Sequence, residues 1–222
     1  YIAYFQAYTN TYAPVPYLEQ IFQEAISHPG IAALSIGTRP DCLNGDVIEL
    51  LSRLNAQKPV WIELGLQTIH ENTAKYINRG YTLDVFNTAV NNLNKINVDV
   101  IVHLIIGLPF ESKEDILESV KYVSSMNISG IKLQLLHVLK NTPLEKEYSL
   151  NKFEVLSMEE YVDIIAECLR YIPKSIVIHR LTGDGPKSIL VAPLWSGNKK
   201  AVLNYMNKRF NELNVIQGSL CS

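Results

Sequence analysis

The feature that most constrains the fold is a repeated unit: a short β-branched or aromatic run, a polar turn, then a helical stretch. The runs are Tyr1–Ala7, Ala32–Gly37, Val60–Leu66, Val98–Gly107, Gly130–His137 and Ser175–Arg180. Their ends recur about every 30 to 40 residues, the length of successive βαβ units. Val100-Ile101-Val102 and Leu104-Ile105-Ile106 are apolar on both faces, which suits parallel strands packed inward on one side and under helices on the other. Helix starts are equally legible. Ser112-Lys113-Glu114-Asp115 and Ser157-Met158-Glu159-Glu160 have the capping-box pattern, the first with Asp in the place of Glu or Gln. Ile116, Leu117, Val120 and Val123 then follow at helical spacing. Leu83, Phe86, Ala89, Val90 and Leu93 do so behind the candidate N-cap Thr82, as do Val202, Tyr205, Met206 and Phe210 near the C-terminus. Val138–Leu156 reads as the longest irregular connection.

Six such units predict an α/β chain, built as a partial TIM-like β/α barrel or as a doubly wound sheet. A complete eight-fold barrel takes about 250 residues. A barrel of 222 residues is therefore expected to be incomplete and open, with parallel strands and outer helices. The length fits one domain over 1–222, ending in a strand and helix at 175–215. The chain begins without Met inside an apolar segment, so a natural start is not expected there. Net charge is −2, with no long basic run, and gives a nucleic-acid partner no support of its own. Cys42, Cys168 and Cys221 are too scattered for a disulfide framework or a metal-ligand spacing, which points to a reducing, cytoplasmic compartment. Val98–Leu108 is interrupted by Asp99 and His103 and is too short to span a bilayer.

In both architectures the site lies at the carboxyl ends of the strands. Those ends are polar: Gln6-Ala7-Tyr8-Thr9, Gly37-Thr38-Arg39-Pro40-Asp41-Cys42, Glu63 to Thr68 with Asn78-Arg79-Gly80, His103 with Gly107-Leu108-Pro109, Leu136 to Pro143, and His179 to Gly185. Each group alone has a structural reading. Arg39 and Asp41 can close a turn, Gly107-Leu108-Pro109 is a common strand exit, and His103 and His137 can be hydrogen-bonded core histidines. Gln67 is harder to dismiss, because an unpartnered buried amide costs about 1–3 kcal/mol. Convergence of six such ends favours a site. The Gly-rich dinucleotide and P-loop patterns are absent, as are a nucleophile elbow and any His/Cys/carboxylate run with metal spacing.

The ordered motifs IGTRPDC, ELGLQT, INRGYT, HLIIGLP and LLHVLKNTPL resemble the radical S-adenosylmethionine superfamily, near the branch of oxygen-independent coproporphyrinogen oxidase and the elongator catalytic subunit. The resemblance implies an oxidoreductase or transferase that binds S-adenosylmethionine at the strand ends. It implies that the backbone of Gln6, Ala7, Tyr8 and Thr9, in place of the family's glycines, receives the methionine amino group. Gln67 would contact the ribose or carboxylate region, and Arg79 would pair with the methionine carboxylate. His103 would take the place of an acidic ribose contact. Gly107 would allow close backbone approach, His137 and Val138 would border the adenine, and Arg39 would join the cofactor set. Gly37 stands where relatives have a glutamate. His179, Arg180 and Asp184 are candidate substrate contacts.

The family's C-x-x-x-C-x-x-C is not in these residues, so no metal ligand is expected in this chain. The first strand here corresponds to the family's second, and the family's first strand is read as missing. In the full-length protein a [4Fe–4S] cluster would serve reductive cleavage of S-adenosylmethionine to a 5′-deoxyadenosyl radical, with flavodoxin or ferredoxin as reductant. The 222 residues alone are expected to be inactive. The elongator likeness hints at RNA modification of an otherwise unknown substrate. Two alternatives stand beside this: a barrel-like binding or scaffold protein without catalysis, and a barrel enzyme acting on a phosphorylated metabolite.

Overall fold

The computed structural model describes residues 1–183 and 185–221; Asp184, an expected substrate contact, lies outside them. The first half runs β1 (Ile2–Phe5), α1 (Val15–Ser27), β2 (Ala33–Thr38), α2 (Gly45–Asn55), β3 (Val60–Gln67), α3 (Glu71–Tyr76), α4 (Leu83–Lys95), β4 (Asp99–Ile106) and α5 (Lys113–Ser124). The second runs β5 (Gly130–Leu135), β6 (Val138–Leu139), α6 (Pro143–Ser149), α7 (Met158–Arg170), β7 (Val177–Arg180), β8 (Leu190–Ala192) and α8 (Lys199–Glu212). One six-stranded sheet has the order β1-β2-β3-β4-β5-β7, and β6 pairs with β8 in a second sheet. The fold class is the expected one, an open TIM-like partial β/α barrel of parallel strands, with β1 at a sheet edge. No helix among the described residues is long and apolar enough to cross a membrane.

The chain divides into two compact units. The first comprises Tyr1–Leu66, Gly80–His103 and Asn127–Ile131. Within it β2 lies parallel to β1, with Tyr4 opposite Ser35, and parallel to β3, with Gly37 opposite Glu63. Leu34 and Ile36 of β2, Ile62 and Leu64 of β3, Leu18 and Phe22 of α1 and Leu50 and Leu51 of α2 are buried. Each such side chain contributes about 1.5–3 kcal/mol. The ends of α1 and α2 are closed by side chains. Lys58 Nζ donates to the carbonyls of Ile26 at 2.6 Å and Ile31 at 2.8 Å, and Asn44 accepts from Val47 N at 2.9 Å.

The second unit comprises Gln67–Arg79, Leu104–Met126 and the chain from Lys132 onward. Both capping boxes form as read, Ser112 with Asp115 at α5 and Ser157 with Glu160 at α7. Thr82, by contrast, occupies the N-cap of α4 without a side-chain capping bond. The segment Val138–Leu156 is not irregular. Val138, fully buried, pairs antiparallel with Ala192, and Thr142 accepts from Glu145 N with Pro143 opening α6. Leu108, Leu136, Val138, Phe153 and Ala192 form a local core there. Trp195 Nε1 donates to the Leu156 carbonyl at 3.0 Å, and the Tyr161 hydroxyl donates to that of Leu181 at 2.8 Å.

Candidate functional site

In the first unit, Gln6, Ala7 and Tyr8 are exposed, and Tyr8 takes a left-handed φ of 65°. The loop is pinned just beyond them. Asn10 Nδ2 donates to Phe5 O at 3.1 Å and Gly37 O at 2.9 Å, Asn10 N donates to Gly37 O at 3.1 Å, and Thr11 Oγ1 donates to Cys42 O at 2.8 Å. An accessible backbone segment is thus held against the end of β2. The Arg39 guanidinium donates twice to Asp41, at 2.9 and 2.8 Å, and lies 5.1 Å from the Tyr81 ring centroid. That bidentate contact holds the Asp41 carboxyl below the usual carboxylate range. A Cβ on Gly80, whose φ is +86°, would come within 3.0 Å of Arg39 Nη2. The IGTRPDC and INRGYT motifs therefore clasp each other through Arg39 and Gly80, and the Tyr81 hydroxyl donates to Gly65 O.

In the same unit, Glu63 and His103, both named among the polar strand ends, are joined in a network that the sequence reading did not anticipate. Glu63 Oε2 accepts from the Tyr4 hydroxyl at 2.7 Å and lies 3.1 Å from His103 Nε2, while Oε1 accepts from Ser35 Oγ at 2.9 Å. Glu63 is 5% exposed. Its sequence signal was a lone carboxylate in the middle of the apolar run Val60–Leu66.

In the second unit Gln67 ends β3 with a φ of 71°, an unusual conformation for a residue with a Cβ. Arg79 comes back to the following residue: Nη1 donates to Thr68 O at 2.7 Å and Nη2 to Glu71 Oε1 at 2.9 Å. The Arg79 side chain is only 1% exposed. Gly107 has a φ of +84°, and a Cβ there would lie 2.9 Å from Leu156 Cδ1. The His137 ring is covered by the 180s loop: a Cβ on Gly183 would overlap its Cε1, and one on Gly185 would lie 3.1 Å from its Cγ. Val138 is buried in the local core, and Arg180 is half-buried while His179 is exposed.

Two acidic features near Arg79 were also missed. Burial raises the Glu111 carboxyl above its usual range, against hydrogen bonds from Thr68 and Thr73, and its Oε1 is buried without a hydrogen-bond partner. Among the described residues, His70, Asp115 and Glu118 bring ligand atoms within 4.8 Å of one another. His70 Nε2 is already 3.0 Å from the Asp115 carbonyl, so the imidazole has a structural partner.

The cysteines are all free, and they do not fit an iron–sulfur cluster. Cys168 is buried and its thiol is pushed up to about 12 by desolvation, far from the thiolate a metal requires. Under native conditions a maleimide reagent is expected to label exposed Cys221 and partly exposed Cys42 first, with Cys168 reacting only after denaturation. Rapid native labelling of Cys168, read by peptide mass, would contradict its burial.

Comparison with known proteins agrees with the motif reading. A profile of the Radical SAM superfamily matches residues 1–123, and one of the Radical_SAM C-terminal domain matches residues 128–212. The Bacillus subtilis protein YtqA is 44% identical over 218 residues, covering 98% of this chain and 68% of that protein. A tRNA uridine(34) acetyltransferase of Methanocaldococcus jannaschii is 26% identical over 197 residues, 85% of this chain but 35% of its own length. The solved structure of archaeal Methanocaldococcus infernus Elp3, with an N-terminal deletion, superposes with a TM-score of 0.79 at 21% identity. It covers 97% of this chain and is matched over 55% of its own.

Proposed function

The chain belongs to the radical S-adenosylmethionine superfamily, and from that premise we propose that it forms the S-adenosylmethionine-binding core of an enzyme that modifies RNA. The observation that carries the binding role is the loop after β1. Gln6, Ala7 and Tyr8 are exposed, yet Asn10 and Thr11 fix the loop, so main-chain groups stand ready for an amino group without an ordering cost. Gln67 and His103 are the proposed side-chain contacts. Arg79 is proposed to act one step back, holding Thr68 and with it the left-handed turn at Gln67, because its buried guanidinium is committed to Thr68 O and Glu71. Gly107, His137, Val138 and Arg39 complete the proposed cofactor set, with His179 and Arg180 toward the substrate.

Bound S-adenosylmethionine together with a [4Fe–4S] cluster supplies one-electron reductive cleavage chemistry. The chain's cysteines do not fit that cluster, so its residues are assigned binding and orientation alone. A flavodoxin- or ferredoxin-type reductant and a reducing, cytoplasmic setting are part of the proposal. RNA as substrate rests on the tRNA-directed name of the Methanocaldococcus jannaschii relative.

The full-length protein is expected to bind S-adenosylmethionine in anaerobic calorimetry. Gln67→Ala and His103→Ala should each weaken it about three- to tenfold, the effect of one lost hydrogen bond. Unchanged affinity in both variants would sink the site. For the substrate, nucleoside mass spectrometry of total RNA from a deletion strain should show one modified nucleoside lost or replaced by a precursor. An unaltered nucleoside profile rules RNA out.

A further inference from the structure

Within the second unit, the turn after α3 and the start of α6 line a pocket of about 330 Å³, in the size range of small-molecule sites. Its floor is apolar. Ile77 and Leu144 both pack against the local core that holds Leu108, the residue after Gly107. Its wall is polar, from Asn78, Thr142 and Glu147, and Tyr76 adds an aromatic ring. Phe110 meets the Tyr76 ring edge to face, with centroids 5.1 Å apart. Phe110 is itself 67% exposed and takes a φ of 67°, a conformation rarely adopted by a bulky residue. The loop after Gly107 thus extends the aromatic surface of Tyr76 into solvent. The wall also has bonding capacity left over. The Tyr76 hydroxyl donates to Glu147 Oε2 at 3.3 Å, and Lys152 Nζ lies 2.7 Å from a Glu147 carboxylate oxygen, again Oε2. The Lys152 ammonium holds the Glu147 carboxyl below its usual range, which keeps it ionised near neutral pH. Among the described residues nothing donates to Glu147 Oε1, and the exposed side-chain amide of Asn78 has no hydrogen-bond partner.

We propose that this pocket is a nucleobase subsite: an unpaired base of the RNA substrate stacks on Tyr76, and Asn78 and Glu147 read its edge. The lining groups sort the occupants. No lining residue is cationic and one is an ionised carboxylate, so a phosphate or carboxylate ligand is repelled. A wholly apolar group would cover the Asn78 amide and Glu147 Oε1 without pairing either, and both would lose their water uncompensated. A base answers each feature. Its ring has a face for the aromatic surface, an N–H for the carboxylate and a carbonyl for the amide. Uracil and guanine carry a ring N–H beside a carbonyl, whereas adenine has no carbonyl and leaves the amide donor unused. The inference rests on the reading of RNA as substrate, and it adds where a base is held and by which groups.

The test is fluorescence anisotropy of the full-length protein with labelled oligouridylate and oligoadenylate of about twelve nucleotides, at one fixed salt concentration. Oligouridylate is expected to bind more tightly. Tyr76→Leu keeps apolar bulk and removes the ring, and should weaken oligouridylate about five- to a hundredfold, the range of one lost stacking contact. Tyr76→Phe keeps the ring and should stay within about threefold of wild type. Phe110→Leu, at an exposed ring, should also weaken binding, and it serves where Tyr76→Leu does not fold. Asn78→Gly suits the left-handed φ of 54° and removes only the amide. It should weaken oligouridylate about three- to tenfold and leave oligoadenylate unchanged. Oligouridylate binding unmoved by both leucine variants overturns the subsite while RNA stands as substrate. An equal loss for the two strands in Asn78→Gly, or tighter binding of oligoadenylate by the wild type, overturns the reading of the base edge. Wild-type protein that binds neither strand also overturns the subsite, and the nucleoside profile of the deletion strain then decides separately whether RNA is the substrate.

Discussion

Arg79→Ala is expected to lower the stability of the protein by about 3 kcal/mol. The Arg79 side chain is 1% exposed and donates to the Thr68 carbonyl at 2.7 Å and to Glu71 at 2.9 Å. Truncation leaves a carbonyl without its donor and a carboxylate without its counter-charge, and removes the packing of a long stem. Breaking a wholly buried pair costs about 3–5 kcal/mol; the Glu71 side chain is 41% exposed, which places this case at the lower edge. For a chain of this length that corresponds to a fall in Tm of roughly 6–12 °C. Arg79→Lys should recover only part, because an ammonium cannot hold both acceptors in one plane. Glu71→Gln should cost about 1 kcal/mol or less, as for an exposed pair. The sequence resemblance gave Arg79 to a ligand carboxylate, whereas its burial gives it a role in stability with no ligand bound. Thermal and urea unfolding of the three variants decide it: a loss below about 1 kcal/mol for Arg79→Ala would mean the guanidinium is held by something other than these contacts.

Gly107→Val is expected to cost about 3–5 kcal/mol, and Gly107→Ala about 2–4 kcal/mol. Two effects add. The φ of +84° is costly for any residue with a Cβ, by about 1–2 kcal/mol, and worse for a β-branched one. The new atom would also sit 2.9 Å from Leu156 Cδ1 and 3.1 Å from its Cγ, an overpacking cost of about 1–3 kcal/mol. Because Leu156 is a side chain, only the second effect can relax. Adding Leu156→Ala to Gly107→Ala should therefore recover about 1 kcal/mol relative to the sum of the single changes. Strict additivity in urea titrations would place the whole cost in the backbone.

The fold was largely legible because its strands are buried runs bounded by polar turns. Each of the six runs coincides with one strand of the main sheet to within a few residues at its ends, and the capping boxes at Ser112 and Ser157 close as their spacing implies. What escaped was short. β6 and β8 have two and three residues, too few to show a period, and their pairing depends on residues far apart in the chain. α6 hid in a polar segment because its start, Thr142-Pro143, reads equally well as a turn. At the candidate site, residue types and the local Arg39–Asp41 turn were readable, and the distant partners were not. The Tyr81 ring beside Arg39 is invisible in the spacing, and Glu63 reads as one more polar group at a strand end. Pairings such as Glu63 with His103 link positions 40 residues apart, and no local spacing encodes them.

Trp195 stands one hydrogen bond from the residue that covers Gly107, since its indole donates to the carbonyl of Leu156. The sequence holds two tryptophans, and the other is Trp61 on β3. Replacing Trp61 by phenylalanine leaves a single indole, whose emission wavelength and lifetime follow the seating of Leu156. The strand exit at Gly107 thus carries its own optical gauge, readable in solution without an attached dye.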